Sequence, residues 1–520
     1  MMKAALRMAL ASSLLLAASG CTTVQRDPNT PVSHALPPAK NSPMAQRIQE
    51  HLARHPGQDA VHPLANGRDA LVGRAVLAEL ATHSIDLQYY LYHADEVGAL
   101  FTDALLKAAD RGVRVRMLID DIDLGGRDEA ILALDAHPNI EIRLFNPLRR
   151  GLPRGLQLAF GVGTTTRRMH NKSFTVDGLA TVLGGRNIGN EYFEADPALA
   201  FVDLDVMAIG PVVAEAEKAF DLYWNSRFAV PVTQVLGRSA PQDHPRILRE
   251  VLYRELEKPE IRSYVDALHH SQLADSLRTG GTRWYWGKAQ LVVDDPEKVV
   301  DQERSGHLLL KTQLKEVFDD LKKDLLIVSP YFVPGREGVE FLAGLVQRGV
   351  RVRIITNSLA SNDVAIVHAG YARYRKALLR AGVELYEMNR NLPPGREGEG
   401  RSLTGSSRAS LHAKTFLLDR HLAFVGSLNL DPRSLYENTE IGLLFDSPEL
   451  GRDMANSLEA NLQVKTFHVV LVRDDDGSER LEWRGIENGR PVVYDHDPHS
   501  SLWLRIGVNL LRILPIESQL

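Results

Sequence analysis

Two ten-residue segments of this chain carry histidine, lysine and aspartate at the same offsets. They read MHNKSFTVDG, residues 169–178, and LHAKTFLLDR, residues 411–420. Alternate residues of a β-strand point to one side, so His170 shares a face with Lys172, and His412 with Lys414. Neutral imidazole can act as a nucleophile or base, imidazolium can act as an acid, and lysine in an apolar strand favours a buried anion. A single strand histidine is more often a hydrogen-bonded core residue, but duplication at matched offsets favours chemistry.

The matched offsets continue beyond both segments. The residues at +14, +15 and +17 from each histidine are Gly184, Gly185 and Asn187 in the first copy, and Gly426, Ser427 and Asn429 in the second. A glycine pair alone would indicate only a turn, whereas an asparagine at the same place in both copies indicates more. Asp177 and Asp419 end their apolar strands in TVDG and LLDR, where aspartate serves turns well. We interpret both aspartates as structural members of the motif.

The elements that must position these residues also occur twice. FLAGLVQRGVRVRIITNS, residues 341–358, repeats the helix, the RGVRVR turn and the strand found around residues 111–116. The copies lie about 240 residues apart, in register with the histidine motifs. Alternating strands and helices predict an α/β fold of two homologous lobes, each a mostly parallel sheet flanked by helices. A pseudo-twofold axis between the lobes would bring the two histidines into one crevice.

Composition sets limits on function. The chain has 520 residues, 44% of them hydrophobic and 24% charged, which indicates a globular protein of more than one domain. Its 61 basic and 66 acidic residues give a net charge of -5, so no global positive field would hold a nucleic acid. The 18 histidines and single cysteine form no H-x3-H or C-x2-C cluster with convincing ligand spacing, and we predict no metal site.

The first residues differ from the rest of the chain. Lys3 and Arg7 precede an apolar run that ends in LAASGC, which resembles the lipobox of bacterial lipoproteins. The resemblance implies acylation of Cys21 and a membrane-anchored lipoprotein of the bacterial cell envelope that faces the periplasm. An uncleaved signal anchor and a soluble periplasmic protein are the alternatives. No later stretch is long and apolar enough to span a bilayer.

Repeats and composition together divide the chain. The predicted parts are a lipoprotein signal peptide (1–20), a Pro-rich tether (21–65), a first lobe (66–235), a connecting insertion (236–305), a second lobe (306–465) and a C-terminal segment (466–520).

The duplicated set H-x-K-x4-D followed by G-[GS]-x-N resembles the signature of the phospholipase D superfamily. RRMHNKSFTVDG, NSLASNDVAIVHAGYARYRKALLRAGVELYE and RILPIE are similar to the bacterial cardiolipin synthase C family, over nearly the whole chain after about residue 66. The resemblance implies that each lobe is a phospholipase D-like domain. It also implies catalysis without a metal or other cofactor.

The resemblance implies roles for the matched residues. His170 would form a covalent phosphatidyl-histidine and His412 would be the general acid, although the near symmetry of the halves leaves their order open. The groups expected to hold phosphate oxygens are Lys172, Lys414, Asn187, Asn429 and Ser427. The family has a carboxylate in each half that orients a histidine, which implies Glu440 in the second half and Asp203 in the first, with Asp205 as the alternative to Asp203.

The expected substrates are phospholipids, with phosphatidylglycerol and phosphatidylethanolamine as the candidates. Residues 142–176 contain arginines and no acidic residue, which favours contact with headgroups, although an ordinary surface loop is the alternative. The C-terminal SLWLRIGVNLL would lie in the bilayer interface or close the core. We therefore expect a phosphatidyltransferase that makes cardiolipin, active as a monomer with an internal pseudo-dimer, with no nucleic-acid partner. A phospholipase D that releases phosphatidic acid, a secreted nuclease and a non-catalytic lipid-binding lipoprotein are the other readings.

Overall fold

The computed structural model describes residues 24–160, 164–195, 199–362, 364–391 and 408–512. The strands of the first half are β1 (Asp59–Leu64), β2 (Ser84–Tyr89), β3 (Arg114–Asp120), β4 (Ile140–Phe145), β5 (Ser173–Val176), β6 (Ala180–Gly184), β7 (Leu199–Val202), β8 (Asp205–Ile209) and β9 (Ala229–Pro231). Those of the second half are β10 (Tyr285–Val293), β11 (Asp324–Val328), β12 (Arg351–Asn357), β13 (Glu384–Met388), β14 (Arg408–Leu411), β15 (Thr415–Leu418), β16 (Leu422–Gly426), β17 (Ile441–Asp446), β18 (Thr466–Arg473), β19 (Glu479–Glu487) and β20 (Arg490–Tyr494).

Helices cover the faces of these strands. Those of the first half and the insertion are Pro43–Arg54, Gly67–Leu80, Glu96–Asp110, Asp128–Asp135, Arg154–Phe160, Val212–Trp224, Val232–Leu236, His244–Leu256, Pro259–His269 and Gln272–Thr279. Those of the second half are Leu310–Asp319, Gly335–Gln347, Ala365–Ala372, Arg375–Arg380, Pro432–Tyr436, Pro448–Lys465 and Leu502–Leu511. Short 3₁₀ turns lie at Asp121–Asp123, Asn190–Tyr192, Pro296–Val299 and Gly306–Leu308.

All strands except β7 and β14 form one 18-stranded sheet. Its order is β9-β4-β3-β2-β5-β6-β8-β1-β10-β17-β16-β15-β11-β12-β13-β18-β19-β20. The order runs outward from the β1–β10 pair through equivalent strands on both sides. The predicted α/β fold of two repeated lobes is confirmed.

The sheet is mixed, however, where the sequence predicts a mostly parallel one. Only β2–β3–β4 and β11–β12–β13 are parallel neighbours within it. The hairpins β5–β6 and β15–β16 carry the histidine motifs and turn at residues 177–179 and 419–421. Such turns are too short for the crossover that a parallel pair requires.

The two lobes join through strands that the sequence analysis placed outside them. β1 pairs with β8 of the first lobe, β10 pairs with β17 of the second, and the two pair with each other. The assignments of β1 to a tether and of β10 to an insertion are therefore wrong. Pro63 in β1 and Gly287 in β10 weaken the local strand pattern of these two segments, so only long-range pairing identifies them as strands.

Other residues of the predicted tether and C-terminal segment are also part of the lobes. The Arg116 Nη1 donates to the Ser33 carbonyl at 3.0 Å, and the Ala39 amide donates to the Asp177 carbonyl at 2.9 Å. At the other end of the chain, β18 extends the sheet from β13. Residues 1–23, which include the predicted signal peptide and Cys21, lie outside the described residues.

Buried apolar residues form a core in each lobe and a third cluster shared by both. The shared cluster combines Leu183 and Val206 of the first lobe with Val425, Leu443 and Phe445 of the second. Apolar burial is the main stabilising contribution to such contacts. The lobes therefore meet through a common core as well as through β1 and β10, and the motif-bearing hairpins lie on either side of this junction.

Candidate active site at the lobe junction

His170 lies three residues before β5, at the edge of the sheet where the parallel strands end. Ser173 pairs with Gln88 near the carboxyl end of β2, which defines this edge. The His170 amide donates to the Thr439 carbonyl of the second lobe at 2.9 Å. Its Nδ1 lies 2.9 Å from Glu440 Oε2. The first histidine is therefore held, through backbone and ring, by the second lobe.

His412 is held in the reciprocal way. Its amide donates to the Val202 carbonyl of the first lobe at 2.8 Å, and its Nδ1 lies 2.6 Å from Asp203 Oδ2. β7 and β14 pair in parallel across the junction and bring these two segments together. Each imidazole thus has its Nδ1 fixed by a carboxylate of the opposite lobe. We assign Nδ1 as the protonated nitrogen, which leaves Nε2 for chemistry.

The two lysines lie beneath the histidines. Lys172 and Lys414 are buried, and each Nζ donates to the carbonyl of its own histidine, that of Lys172 at 2.5 Å. Burial lowers the pKa of Lys172 well below its usual value; Glu440 opposes this shift and Lys414 adds to it. Two buried ammonium groups that interact in this way repel each other, so an anion between them would relieve the repulsion.

The electrostatic environment of the two imidazoles joins the two motifs. Burial, followed by the charges of Lys172 and Lys414, lowers the pKa of His170 well below its usual value. Burial and Lys414 lower the pKa of His412 to about 4, with Asp203 opposing the shift. Lys414 lowers the pKa of His170, and Lys172 lowers the pKa of His412. Because the lysine of each motif acts on the histidine of the other, both motifs belong to one site. Both rings are neutral at pH 7 before an anion binds.

The two carboxylates differ in protonation. Burial raises the pKa of Glu440 to about 7, although Lys172 opposes this shift. Burial would also raise the pKa of Asp203, but the charges of His412 and Lys414 bring it below its usual value. Asp203 is therefore ionised at neutral pH, whereas Glu440 titrates there. The site is symmetric in its backbone and asymmetric in its charges.

The predicted phosphate-binding residues divide into two groups. The Asn187 Oδ1 accepts from the Leu91 amide at 3.1 Å, and its Nδ2 donates to the Tyr192 hydroxyl at 2.9 Å. The Asn429 Oδ1 is buried without a hydrogen-bond partner among the described residues. An unpaired buried amide oxygen is costly, and because it only accepts hydrogen bonds, it is available to a hydroxyl or amine of a bound molecule and not to a phosphate oxygen.

The side chain of Ser427 does not point toward the phosphate site that the motif predicts for it. Its hydroxyl donates to Glu440 Oε2 and accepts from the Ile441 amide at 3.0 Å. The hydroxyl is therefore engaged behind the carboxylate, and its assignment to phosphate binding is corrected: Ser427 positions Glu440. The offset from the histidine identifies the residue but not the direction of its side chain.

The two motif aspartates lie away from the imidazoles. The carboxylate of Asp177 accepts the amides of Thr82, His83 and Ser84 at 2.7–3.1 Å, in the segment that leads into β2. Asp419 accepts the amides of residues 322–324, before β11, in the same way. Both have positive φ, 56° and 48°, a conformation that aspartate tolerates. They anchor one strand end to another and touch no reacting group.

Comparisons with known proteins identify the family. A family model described as "Cardiolipin synthase, PLD-like domain" matches residues 77–224 and 314–462. Cardiolipin synthase C of Escherichia coli (strain K12) is 40% identical over 474 residues, which are 91% of this chain and 99% of that protein. The chain belongs to the phospholipase D-like cardiolipin synthase family. The resemblance predicted from the motifs is confirmed.

The chain is also similar to a more distant cardiolipin synthase and to one solved structure. The major cardiolipin synthase ClsA of Bacillus subtilis (strain 168) is 24% identical, over 88% of this chain and 75% of that protein. The crystal structure of phosphatidylserine synthase from Haemophilus influenzae Rd KW20 superposes with a TM-score of 0.55, at 15% identity, over 91% of this chain and 98% of the other. The last likeness concerns the fold alone.

The arginines of residues 142–176 are engaged within this cardiolipin synthase-family chain. Arg143 pairs with Glu141, Arg150 with Asp121 and Asp128, Arg154 with Asp121, and Arg168 with Asp120. Their acidic partners precede residue 142, which is why the local charge run indicated a free basic patch. The expectation that these side chains meet lipid headgroups is wrong for these pairs, which instead fix the segment before His170.

Sequence reasoning missed several residues around the histidines. Tyr90 packs edge-on against the His170 ring at 5.0 Å between centroids, and Tyr192 against that of His412 at 5.2 Å. Behind Glu440, the Asp294 carboxylate accepts the Glu440 amide at 2.8 Å and pairs with the buried Lys298 at 2.8 Å. Tyr90 lies directly after β2, within the apolar run LQYYLY, which could have indicated it. Asp294 lies in the supposed insertion and gave no signal.

The length and hydropathy of the helices decide whether any of them could span a membrane. Of the helices that the structure describes, none is both long and apolar enough to cross a bilayer.

Proposed function

We propose that this chain is a phosphatidyltransferase that makes cardiolipin from phospholipids through a covalent phosphatidyl-histidine. The observation that carries the proposal is the crosswise pair His170–Glu440 and His412–Asp203 at one junction. Two neutral imidazoles with fixed Nδ1 and two buried lysines suit the two-step displacement at an anionic phosphorus. Similarity to proteins named cardiolipin synthase supports the lipid substrate and the product.

In the first half-reaction, His170 Nε2 attacks the phosphorus of one phosphatidylglycerol. The N–P bond forms, the bond from phosphorus to the glycerol headgroup oxygen breaks, and that oxygen takes a proton from His412. The phosphate anion between Lys172 and Lys414 offsets the positive charge that holds the pKa of His412 down, so substrate binding favours its imidazolium. Glycerol leaves, and the phosphatidyl group stays on His170.

In the second half-reaction, neutral His412 takes the proton of a hydroxyl on a second phosphatidylglycerol. The resulting oxygen attacks phosphorus, the N–P bond breaks, and His170 returns to its neutral form. The product is cardiolipin. Phosphatidylethanolamine is an alternative donor, whose headgroup would leave as ethanolamine in the first half-reaction.

The asymmetry of the carboxylates supports this order of roles. Ionised Asp203 stabilises an imidazolium at His412, as a general acid requires, whereas His170 beside partly protonated Glu440 is held neutral, as a nucleophile requires. Reversing the roles would place the proton donor beside the weaker of the two counter-charges.

Purified protein should be incubated with vesicles of phosphatidylglycerol, with and without phosphatidylethanolamine, and the lipids analysed by mass spectrometry. With phosphatidylglycerol alone, we expect cardiolipin and free glycerol in equal amounts. Accumulation of phosphatidic acid without cardiolipin would instead establish a hydrolase. Metal-independent cleavage of plasmid DNA, with no change in the lipids, would establish a nuclease.

We also propose that the mature chain is a lipoprotein acylated at Cys21 and exposed to the periplasm of a bacterial envelope. The support is the LAASGC run that follows an apolar segment. Two lipid chains or more would give stable anchoring, which a single chain does not. Cells grown with labelled palmitate should label the chain, and Cys21→Ser should abolish the label; equal labelling of the variant excludes this site.

A further inference from the structure

The helix Leu502–Leu511 presents an apolar stripe away from the protein. Its inner side packs on the second lobe through Val508, which is buried with Leu359 and Ala369. The outward residues are Leu502, Trp503, Ile506 and Leu510, which are 60%, 80%, 41% and 62% exposed. Residues 502, 506 and 510 follow the helical i, i+4, i+8 spacing, and Trp503 lies beside them. Such a contiguous apolar surface marks an interaction site.

A cationic cavity of about 260 Å³ lies beside the same helix. Four of its lining residues are cationic and two are acidic, and its titratable lining is His368, Arg375, Lys376, Asp495, His496, Asp497, Arg505 and Arg512. Arg375 is engaged by Glu387 and Asp497, and Lys376 donates to the Glu479 carbonyl at 2.6 Å. The Nη1 of Arg505 is buried with no hydrogen-bond partner among the described residues.

The helix arginines therefore have unused capacity for an anion. The Arg512 guanidinium donates to the Asn509 side-chain oxygen at 3.2 Å, and among the described residues no carboxylate forms an ion pair with it or with Arg505. A guanidinium offers a planar fork of donors that matches phosphate oxygens. An unpaired buried donor next to an open cavity is satisfied most simply by such a ligand.

This surface is joined to the active site through the second lobe. Leu359, which holds the helix, lies two residues after Asn357, and the Asn357 side chain bonds both the amide and the carbonyl of Leu411. Leu411 immediately precedes His412. In the first lobe, the exposed Leu152 and Leu156 follow β4, at the same edge of the sheet as His170. Apolar residues of both lobes thus lie on the edge that carries the two histidines.

We infer that the helix Leu502–Leu511 and the cavity beside it form a docking site for an anionic phospholipid bilayer. The apolar stripe enters the interface, and Arg505 with Arg512 takes the phosphate of one lipid headgroup. Apolar area together with cationic side chains gives the combination by which interfacial helices select anionic membranes. The occupant is a bilayer rather than another protein, because the apolar stripe and the cationic cavity adjoin each other.

The test measures contact of Trp503 with lipid in the full chain, in a His170→Ala background so that lipid turnover does not interfere. Vesicles carry phosphatidylglycerol or phosphatidylcholine, with brominated acyl chains as fluorescence quenchers. We expect quenching of the fluorescence that Trp503→Phe removes, and only on phosphatidylglycerol. Absence of quenching on phosphatidylglycerol, or equal quenching on phosphatidylcholine, would overturn the proposal.

Matched variants test the two parts of the surface separately. Arg505→Gln and Arg512→Gln should each weaken partition to phosphatidylglycerol vesicles by about fivefold, and Leu510→Asn by about tenfold. The controls are Arg452→Gln and Val251→Asn, at exposed positions on other helices, which should bind as the parent does. Equal binding by variants and controls would overturn the proposal. Because catalysis is absent throughout, failure here leaves the proposed function to its own test.

Discussion

At the scale of single residues, the charge asymmetry between Glu440 and Asp203 predicts the pH dependence of activity. Burial raises the pKa of Glu440 to about 7, so its carboxylate is present above that pH and lost as the pH falls. The ionised carboxylate is the stronger acceptor of the His170 Nδ1–H, and its charge stabilises the ring as Nε2 attacks. We expect kcat/KM to rise through about pH 7 in the parent enzyme.

Glu440→Gln should remove this rise and lower kcat roughly 100- to 10,000-fold at pH 8. Asp203→Asn should keep the rise, because the pKa of Asp203 is below its usual value and does not titrate near 7. Rates on phosphatidylglycerol vesicles between pH 5.5 and 9, about two units around neutrality, measure both. If kcat/KM of Glu440→Gln still rises through neutral pH, a group other than Glu440 causes the rise.

The order of the two histidines is a second prediction at this scale. With a phosphodiester whose leaving group needs no proton, such as a nitrophenyl ester, His412→Ala should still form the covalent adduct on His170. Its overall transfer should fall about 100- to 10,000-fold because the acceptor hydroxyl lacks a base. His170→Ala should form no adduct, and His307→Ala, at an exposed position outside the sheet, is the matched control.

Intact-mass measurement after rapid quenching detects the adduct. An adduct that forms in His170→Ala and not in His412→Ala would show that the roles are reversed.

Much of the site could be predicted from the residues alone, because the duplicated motif is local. The two carboxylates could be predicted from the sequence, but not which histidine each one contacts. Asp203 contacts His412, and Glu440 contacts His170, because the lobes cross at β7 and β14. The direction of the Ser427 hydroxyl also depends on its neighbour and not on its offset.

At the scale of elements, the motif aspartates hold strand ends together, and their burial predicts unequal contributions to stability. Asp177 is buried, whereas Asp419 is only partly so. Substitution by Asn retains the tolerance for positive φ and removes the charge and part of the acceptor capacity. We expect Asp177→Asn to lower the free energy of unfolding by about 2–4 kcal/mol, and Asp419→Asn by about 1 kcal/mol.

Asp419 adds a dependence on pH. Burial opposes ionisation, but the amides of Asp324, Lys323 and Lys322 bring the pKa of Asp419 below its usual value. Its stabilising contribution is therefore present above the unfolded pKa and lost as the pH falls through the folded one. Urea unfolding at pH 7 and at pH 3 measures the change; a cost of Asp419→Asn that stays constant contradicts it.

The elements that the sequence analysis placed wrongly share one cause. The helices and the strands β2, β3, β11 and β12 have strong local patterns, and the repeat made them visible twice. β1 and β10 are interrupted by Pro63 and Gly287, and they form strands because they pair with β8 and β17 and with each other. A local sequence pattern cannot indicate a pairing between strands more than 200 residues apart, such as that of β1 with β10. The sequence therefore did not predict the junction of the lobes.

At the scale of the whole molecule, the catalytic arrangement depends on the shared core between the lobes. Each histidine is oriented by the opposite lobe, so a change that loosens the junction should separate His170 from Glu440 without touching either. Leu443 belongs to the shared cluster, and Leu385 belongs to the second lobe's own core; both are fully or almost fully buried. Leucine-to-alanine changes at such positions cost about 2–5 kcal/mol.

We therefore expect Leu443→Ala and Leu385→Ala to lower the free energy of unfolding to a similar extent, but only Leu443→Ala to lower kcat. Denaturant unfolding and transfer rates, measured at a temperature where both variants remain folded, separate the two effects. The reason is geometric: Leu385 supports strands that move with their own lobe, whereas Leu443 keeps the lobes in register across the site. Equal kcat values would mean that β1, β10 and the β7–β14 pair hold the junction without the shared core.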